Sequence, residues 1–222
     1  MFRINKNFAV FYGILLGDGS LSLINKNMKF ITISSSIHDD MPFVKKIILP
    51  LLRKLRKKET KFKLRPKYGV IEFNFTDAKL FDFISSLGFS IGKKGIGIKI
   101  PKIFYKKNLV KYVIQGFFAT DGSLVLTKNP NILYPRLEAS SISNSLMKQV
   151  CGFFNREGIK CNIYERKAKN WKWNQQYRIQ ANGRKNLELF IKKIGFINPK
   201  HKKRLVKLNM AALGVEPRTP SS

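Results

Sequence analysis

Acidic residues are scarce in this 222-residue chain: 13 Asp and Glu stand against 43 Lys and Arg, a formal net charge of +30 at pH 7. Such an excess repels itself once folded and implies a polyanionic partner, nucleic acid ahead of an anionic membrane surface. Histidine and cysteine are rarer still, two of each: His38, His201, Cys151 and Cys161. Two histidines, far apart in the chain, argue against a zinc site of the Cys/His type and against histidine-based metallonuclease chemistry. One cysteine pair is no disulfide framework in a chain of this size, so both are read as reduced, half-buried residues of an intracellular protein. No apolar run approaches the roughly 20 residues of a membrane span. Residues 8–17 have the length of a signal-peptide core, but no small-x-small cleavage site follows and the run closes on Asp18, so no secretion signal is expected.

What is abundant is apolar and basic. Hydrophobic residues make up 44% of the chain, with 18 Phe, enough for one ordinary domain core or two small ones. The richness in Lys, Ile, Asn and Phe suits an AT-rich genome.

The chain repeats itself. Asp18 and Asp121 lie 103 residues apart, the pairs Ser34-Ser35 and Ser140-Ser141 are offset by 106, and Leu87-Gly88-Phe89 and Ile194-Gly195-Phe196 by 107. A slowly drifting offset is what loop insertions leave between two copies of one unit. Each copy reads as an apolar helix (6–16 and 109–120), two strands (21–23 with 29–35, and 124–126 with 135–142), a helix capped near Asp39 or Ser143, two more strands (61–65 with 70–75, and 160–166 with 176–181), and a closing helix (78–87 and 185–194) stopped by Gly88 or Gly195. The units are therefore 1–88 and 106–214. The Gly-rich stretch at 89–105 reads as a linker rather than a phosphate loop, since no Gly-Lys-Ser/Thr follows, and 215–222 reads as a disordered tail.

Several strands alternate at period two. Lys61, Lys63 and Arg65 share a face, as do Asn162, Tyr164 and Arg166, and Gln176, Arg178 and Gln180; Asn74 and Arg136 extend the same surface. Their neighbours Phe62, Leu64, Ile163 and Ile179 are expected to pack beneath, against helices. A sheet face rich in Arg, Lys, Gln and Asn can read DNA, Arg suiting guanine and Gln or Asn suiting adenine.

The unusual feature is a carboxylate followed by glycine at the end of each apolar helix: Gly17-Asp18-Gly19, between two glycines, and Thr120-Asp121-Gly122. Gly13 and Gly17, four apart, share a helix face, and Gly116 and Thr120 repeat this with small residues. Small residues at that spacing let two helix backbones approach closely. If the helices pack on each other, Asp18 and Asp121 converge beside a pseudo-two-fold axis. Two carboxylates repel, and helix C-termini already carry partial negative charge. A divalent cation resolves both problems; hard oxygen ligands with open positions suit Mg²⁺, which also contacts substrate phosphates.

On these residues, Phe11-Tyr12-Gly13-Ile14-Leu15-Leu16-Gly17-Asp18-Gly19 and Ile114-Gln115-Gly116-Phe117-Phe118-Ala119-Thr120-Asp121-Gly122, the chain resembles the single-chain, two-motif LAGLIDADG homing endonucleases, over about 6–205. The resemblance implies an α+β fold: two pseudo-symmetric αββαββα units with antiparallel, saddle-shaped sheets, the motif helices packed at their interface. It implies a monomer that makes a metal-dependent double-strand break across the minor groove of a long double-stranded DNA target, leaving short 3′ overhangs. The cofactor would be Mg²⁺ or another divalent cation such as Mn²⁺, and the setting an archaeal cytoplasm or an organelle. Carried over by position, Asp18 and Asp121 bind metal, with the carbonyls of Gly17 and Thr120 as further ligands. Ser35 and Ser141 stand where relatives often carry a water-ordering Gln. Lys185 fits a basic residue that opens the closing helix, where the first copy has Ala78 followed by Lys79. The family also contains intron maturases, so an RNA-binding splicing cofactor, with intron RNA as partner, or a catalytically inactive DNA-binding protein stays open as an alternative.

Overall fold

The computed structural model describes residues 2–25, 27–129, 132–166 and 174–212; the segment 215–222, expected to be disordered, lies outside them. The first helix, α1 (Lys6–Asp18), starts where the Asn5 side chain accepts a hydrogen bond from the Phe8 N–H at 3.0 Å. Its residues Phe8–Leu16 are buried all round, which is why the segment is apolar on every face. Strands β1 (Gly19–Ile24) and β2 (Met28–Ser36) follow, then a helical run made of α2 (Ile37–Phe43), a π-turn (Val44–Ile48) and α3 (Leu49–Arg56). Pro50 cannot donate to the carbonyl of Lys46 and crowds it, which accounts for the widened turn before it. Strands β3 (Lys63–Arg65) and β4 (Val70–Thr76) and the helix α4 (Ala78–Ser86) complete the unit.

The second unit repeats the order: α6 (Val110–Thr120), β5 (Gly122–Asn129), β6 (Ile132–Ser141), α7 (Asn144–Arg156), β7 (Asn162–Arg166), β8 (Gln176–Asn182) and α8 (Arg184–Lys193). A short α5 (Lys102–Lys106) precedes it and α9 (Pro199–Ala212) follows it. Both sheets are four-stranded and antiparallel, in the matching orders β1-β2-β4-β3 and β5-β6-β8-β7. The fold is the α+β arrangement of two matched units that the repeat implied. Gly88 (φ 88°) and Gly195 (φ 78°) end the closing helices in the left-handed region, as helix-stopping glycines do.

The cores match as well. Phe8 packs against Phe83 with tilted rings, centroids 4.9 Å apart, and Phe118 against Phe190 in the same way at 4.7 Å. Cys151 and Cys161 are free thiols, buried, with the Cys151 Sγ donating to the Cys161 carbonyl at 3.1 Å. Three details of the sequence reading change. Strand β3 begins at Lys63, so Lys61 and Phe62 lie before it. Leu64, on this three-residue edge strand, is 49% exposed instead of covered. Helix α9 was not anticipated; its stripe His201, Leu205, Leu208 packs inward, His201 and Leu208 being fully buried. Among the described residues no helix is long and apolar enough to cross a membrane.

Candidate metal centre and nucleic-acid interface

Glycines let α1 and α6 pack backbone to backbone. A Cβ at Gly13 would sit 2.0 Å from the Val113 carbonyl oxygen, and one at Gly116 would sit 2.0 Å from that of Val10. The contact continues to the helix ends, where a Cβ at Gly17 would lie 2.0 Å from Thr120 Oγ1 and 3.3 Å from the Asp121 carboxyl carbon. Asp18, the last residue of α1, and Asp121, the cap of α6, are thus brought together from the two units.

Electrostatics register the crowding. Burial, then the neighbouring Asp121, raise the Asp18 pKa to about 7, against the opposing pull of Lys94. Asp121 keeps one side open to solvent, but desolvation of the remainder raises its pKa to about 6, again opposed by Lys94 and Lys200. Two acids held this way at helix C-termini demand a counter-charge.

Two segments that follow closing helices supply it, and each crosses to the other unit. The one after α4 brings Lys94 onto the end of α1, where its Nζ donates to the carbonyls of Leu15 (3.3 Å), Leu16 (3.0 Å) and Gly17. It then docks on the second unit: Ser143 Oγ donates to the Ile98 carbonyl at 2.6 Å, and the Gln149 amide clasps Ile100, accepting from its N–H at 2.7 Å and donating to its carbonyl at 3.0 Å. The segment after α8 mirrors this. Buried Asn198 donates to the Ala119 carbonyl at 2.8 Å and to Asp40 Oδ1 at 2.9 Å on α2 of the first unit, and Lys200 pairs with the same Asp40 oxygen at 3.0 Å.

Of the other residues singled out in the sequence, Ser35 is buried in register with Ile71, on the covered side of β2, and its hydroxyl has no hydrogen-bond partner among the described residues. Ser141 Oγ accepts from the Ser143 N–H at 3.2 Å. Lys185 and Lys79 stand exposed in the first turns of α8 and α4. The cations whose charge reaches the acids are Lys94 and Lys200, which the sequence reading missed. The repeat held the signal: Phe89 and Phe196 extend it past the glycines, and lysines follow at Lys94 and Lys200.

Cross-strand register sets polar residues of the two sheets opposite one another. In the second unit Arg136 lies opposite Asn182, Ser140 opposite Arg178, Asn162 opposite Gln180, Tyr164 opposite Arg178 and Arg166 opposite Gln176. In the first, Lys63 lies opposite Glu72 and Asn74 opposite Thr32. Two glutamates also sit on these sheets: Glu72 pairs with Arg65, and Glu138 with Arg136 while accepting from Gln180 at 3.0 Å.

A family model described as LAGLIDADG-like domain matches residues 108–195. The uncharacterized protein MJ0314 of Methanocaldococcus jannaschii is 25% identical over 170 residues, 76% of this chain; the chain spans about 60% of that relative's length. Among solved structures, the homing endonuclease I-DmoI in complex with DNA and Ca superposes with a TM-score of 0.58 at 16% identity, over 85% of this chain and 88% of that one. I-WcaI bound to its DNA recognition sequence gives 0.58 at 15% identity, over 92% and 88%, and I-GzeII with its DNA target gives 0.56 at 13%, over 95% and 91%. The chain thus has the LAGLIDADG homing endonuclease fold, with a LAGLIDADG-like domain in its second half.

Proposed function

We propose that the protein is a site-specific, divalent-metal-dependent DNA endonuclease that breaks both strands of a long double-stranded target. The observation that carries this reading is the convergence of Asp18 and Asp121, one from each unit, at the seam between two polar sheet faces on a chain of net charge +30. The donor set fits a hard cation: two carboxylates and the carbonyls of Gly17 and Thr120, all oxygen. Among the described residues no three His, Cys, Asp or Glu side chains form a metal-ligand cluster, so phosphate oxygens and water would complete the coordination. Such an ion lowers the pKa of bound water and stabilises the leaving oxygen of a phosphodiester.

The chain's own groups do the remaining work. Asp18 and Asp121 would hold the cation once ionised, and Lys94 and Lys200 oppose the rise in their pKa values, which burial still leaves at about 7 and about 6. Lys200, paired with Asp40, adds a positive field beside the acids that would favour a bound phosphate. Ser35, with its unpartnered hydroxyl, and Ser141 are candidates to order water, and Lys185 to contact phosphate from the first turn of α8. Lys61, Lys63, Arg65, Asn74, Arg136, Asn162, Tyr164, Arg166, Gln176, Arg178 and Gln180 form the reading surface. Known structures of I-DmoI with DNA and Ca or Mn support divalent-metal use on this fold. Nothing in the site favours intron RNA over duplex DNA. The test is to incubate the protein with Mg²⁺ or Mn²⁺ and DNA spanning the uninterrupted junction of its own gene's insertion site. Cleavage of both strands at one position is expected; binding without cleavage under either metal would overturn the reading.

A further inference from the structure

We propose that Lys94 is the resident cation of the metal-free centre and sets its affinity for metal. The proposal rests on reading Asp18 and Asp121 as the metal centre. The last carbonyls of a helix have no partner within it and carry its negative end. At α1 the Leu16 and Gly17 carbonyls, with that of Leu15, which also accepts from the Gly19 N–H, face one ammonium, and both acids lie within its electrostatic reach. The Gly17 carbonyl and the two carboxylates are also the oxygens a divalent ion would take. An ammonium and a divalent ion on the same Gly17 oxygen would repel each other at close range, so loading the metal displaces Lys94.

The arrangement is one-sided. At the end of α6 the Ala119 carbonyl receives the neutral amide of Asn198, and the charge of Lys200 is already matched by Asp40. Removing Lys94 therefore opens a seat, whereas removing Lys200 only alters the surrounding field. Lys94 comes from the segment joining the units, whose far end is anchored by Ser143 and Gln149, so the ammonium is held there by both halves of the molecule.

The test uses DNA-free full-length protein at pH 8, where the acids are ionised, with Mn²⁺ as probe. Binding is followed by the loss of the free-ion resonance and by the metal-induced rise in Tm. Lys94→Met should bind Mn²⁺ at least about fivefold more tightly, the worth of one unit charge at contact even under bulk-water screening. It should also melt lower than the wild type without metal and gain more Tm from Mn²⁺. Lys94→Gln, which keeps a donor for the carbonyls without the charge, guards against a poorly folded Met variant and should show the same tightening. Lys200→Met should gain less. Affinity unchanged or weakened in both Lys94 variants, or an equal gain in Lys200→Met, would overturn the proposal while leaving the metal centre intact. Asp18→Asn that binds Mn²⁺ as the wild type does would overturn the metal centre itself, and the role of Lys94 with it.

Discussion

The ends of α1 and α6 are matched in backbone and unlike in chemistry. At α1 three carbonyls meet a full positive charge from the segment joining the units; at α6 one carbonyl meets a neutral amide, and the nearby lysine is tied to Asp40. The helix contact itself is symmetrical, Gly13 against Val113 and Gly116 against Val10. Backbone-to-backbone contact admits only glycine in either copy, so that part of the repeat cannot drift. The caps are side chains that need only satisfy carbonyls and balance charge, and several solutions do this.

The largest effect should come from the symmetrical part. Gly13→Val and Gly116→Val each thrust a side chain into a carbonyl of the opposite helix and should cost about 3 kcal/mol or more, comparably in the two copies. Urea unfolding of the two variants measures this, and a large loss in one with none in the other would break the symmetry of the seam. Next is Asn198→Ala, which leaves the Ala119 carbonyl and Asp40 without the amide, at a cost of about 2 kcal/mol by the same measurement. A variant as stable as the wild type would show that the second cap carries nothing.

On the reading faces Arg65 is engaged by Glu72, whereas Arg178 lies between Tyr164 and Ser140. Arg178→Ala should therefore weaken DNA binding by about 1 kcal/mol or more, and Arg65→Ala by less, in titrations at fixed salt. The reverse order would mean that DNA releases Arg65 from Glu72. The remaining effect is on pH dependence. The Asp18 carboxyl has its pKa raised in the fold, so its contribution to stability is present below the ordinary carboxylate range and is lost as pH rises toward about 7. Without metal, the Tm of the wild type minus that of Asp18→Asn should fall between pH 4 and pH 7, and a divalent ion should flatten the trend. For Asp121 the window closes lower, at about 6.

Much of this was legible in the sequence because it is local or repeated. The apolar helices, the period-two strands and the stopping glycines follow from neighbouring residues, and the drifting repeat fixes which elements correspond. The aspartate pair was legible because two small-residue stripes at helical spacing imply one close contact. Lys94, Asn198 and Lys200 were not, because their roles arise only when the segment after each closing helix folds back over the ends of α1 and α6. Glycine spacing made 89–105 read as a plain linker, and the charge of the segment Lys200–Lys203 hid the stripe His201, Leu205, Leu208 that buries α9. The glutamates on the reading faces were passed over because each is cancelled by an arginine only through cross-strand or same-strand pairing.

The central claim is that one acid from each unit builds a single cutting centre, and strand-resolved cleavage tests it most directly. With Mg²⁺ and saturating protein on a target carrying a different label on each strand, Asp18→Asn and Asp121→Asn should each abolish double-strand cleavage while duplex binding persists. Either variant cutting both strands at the wild-type rate would contradict the account.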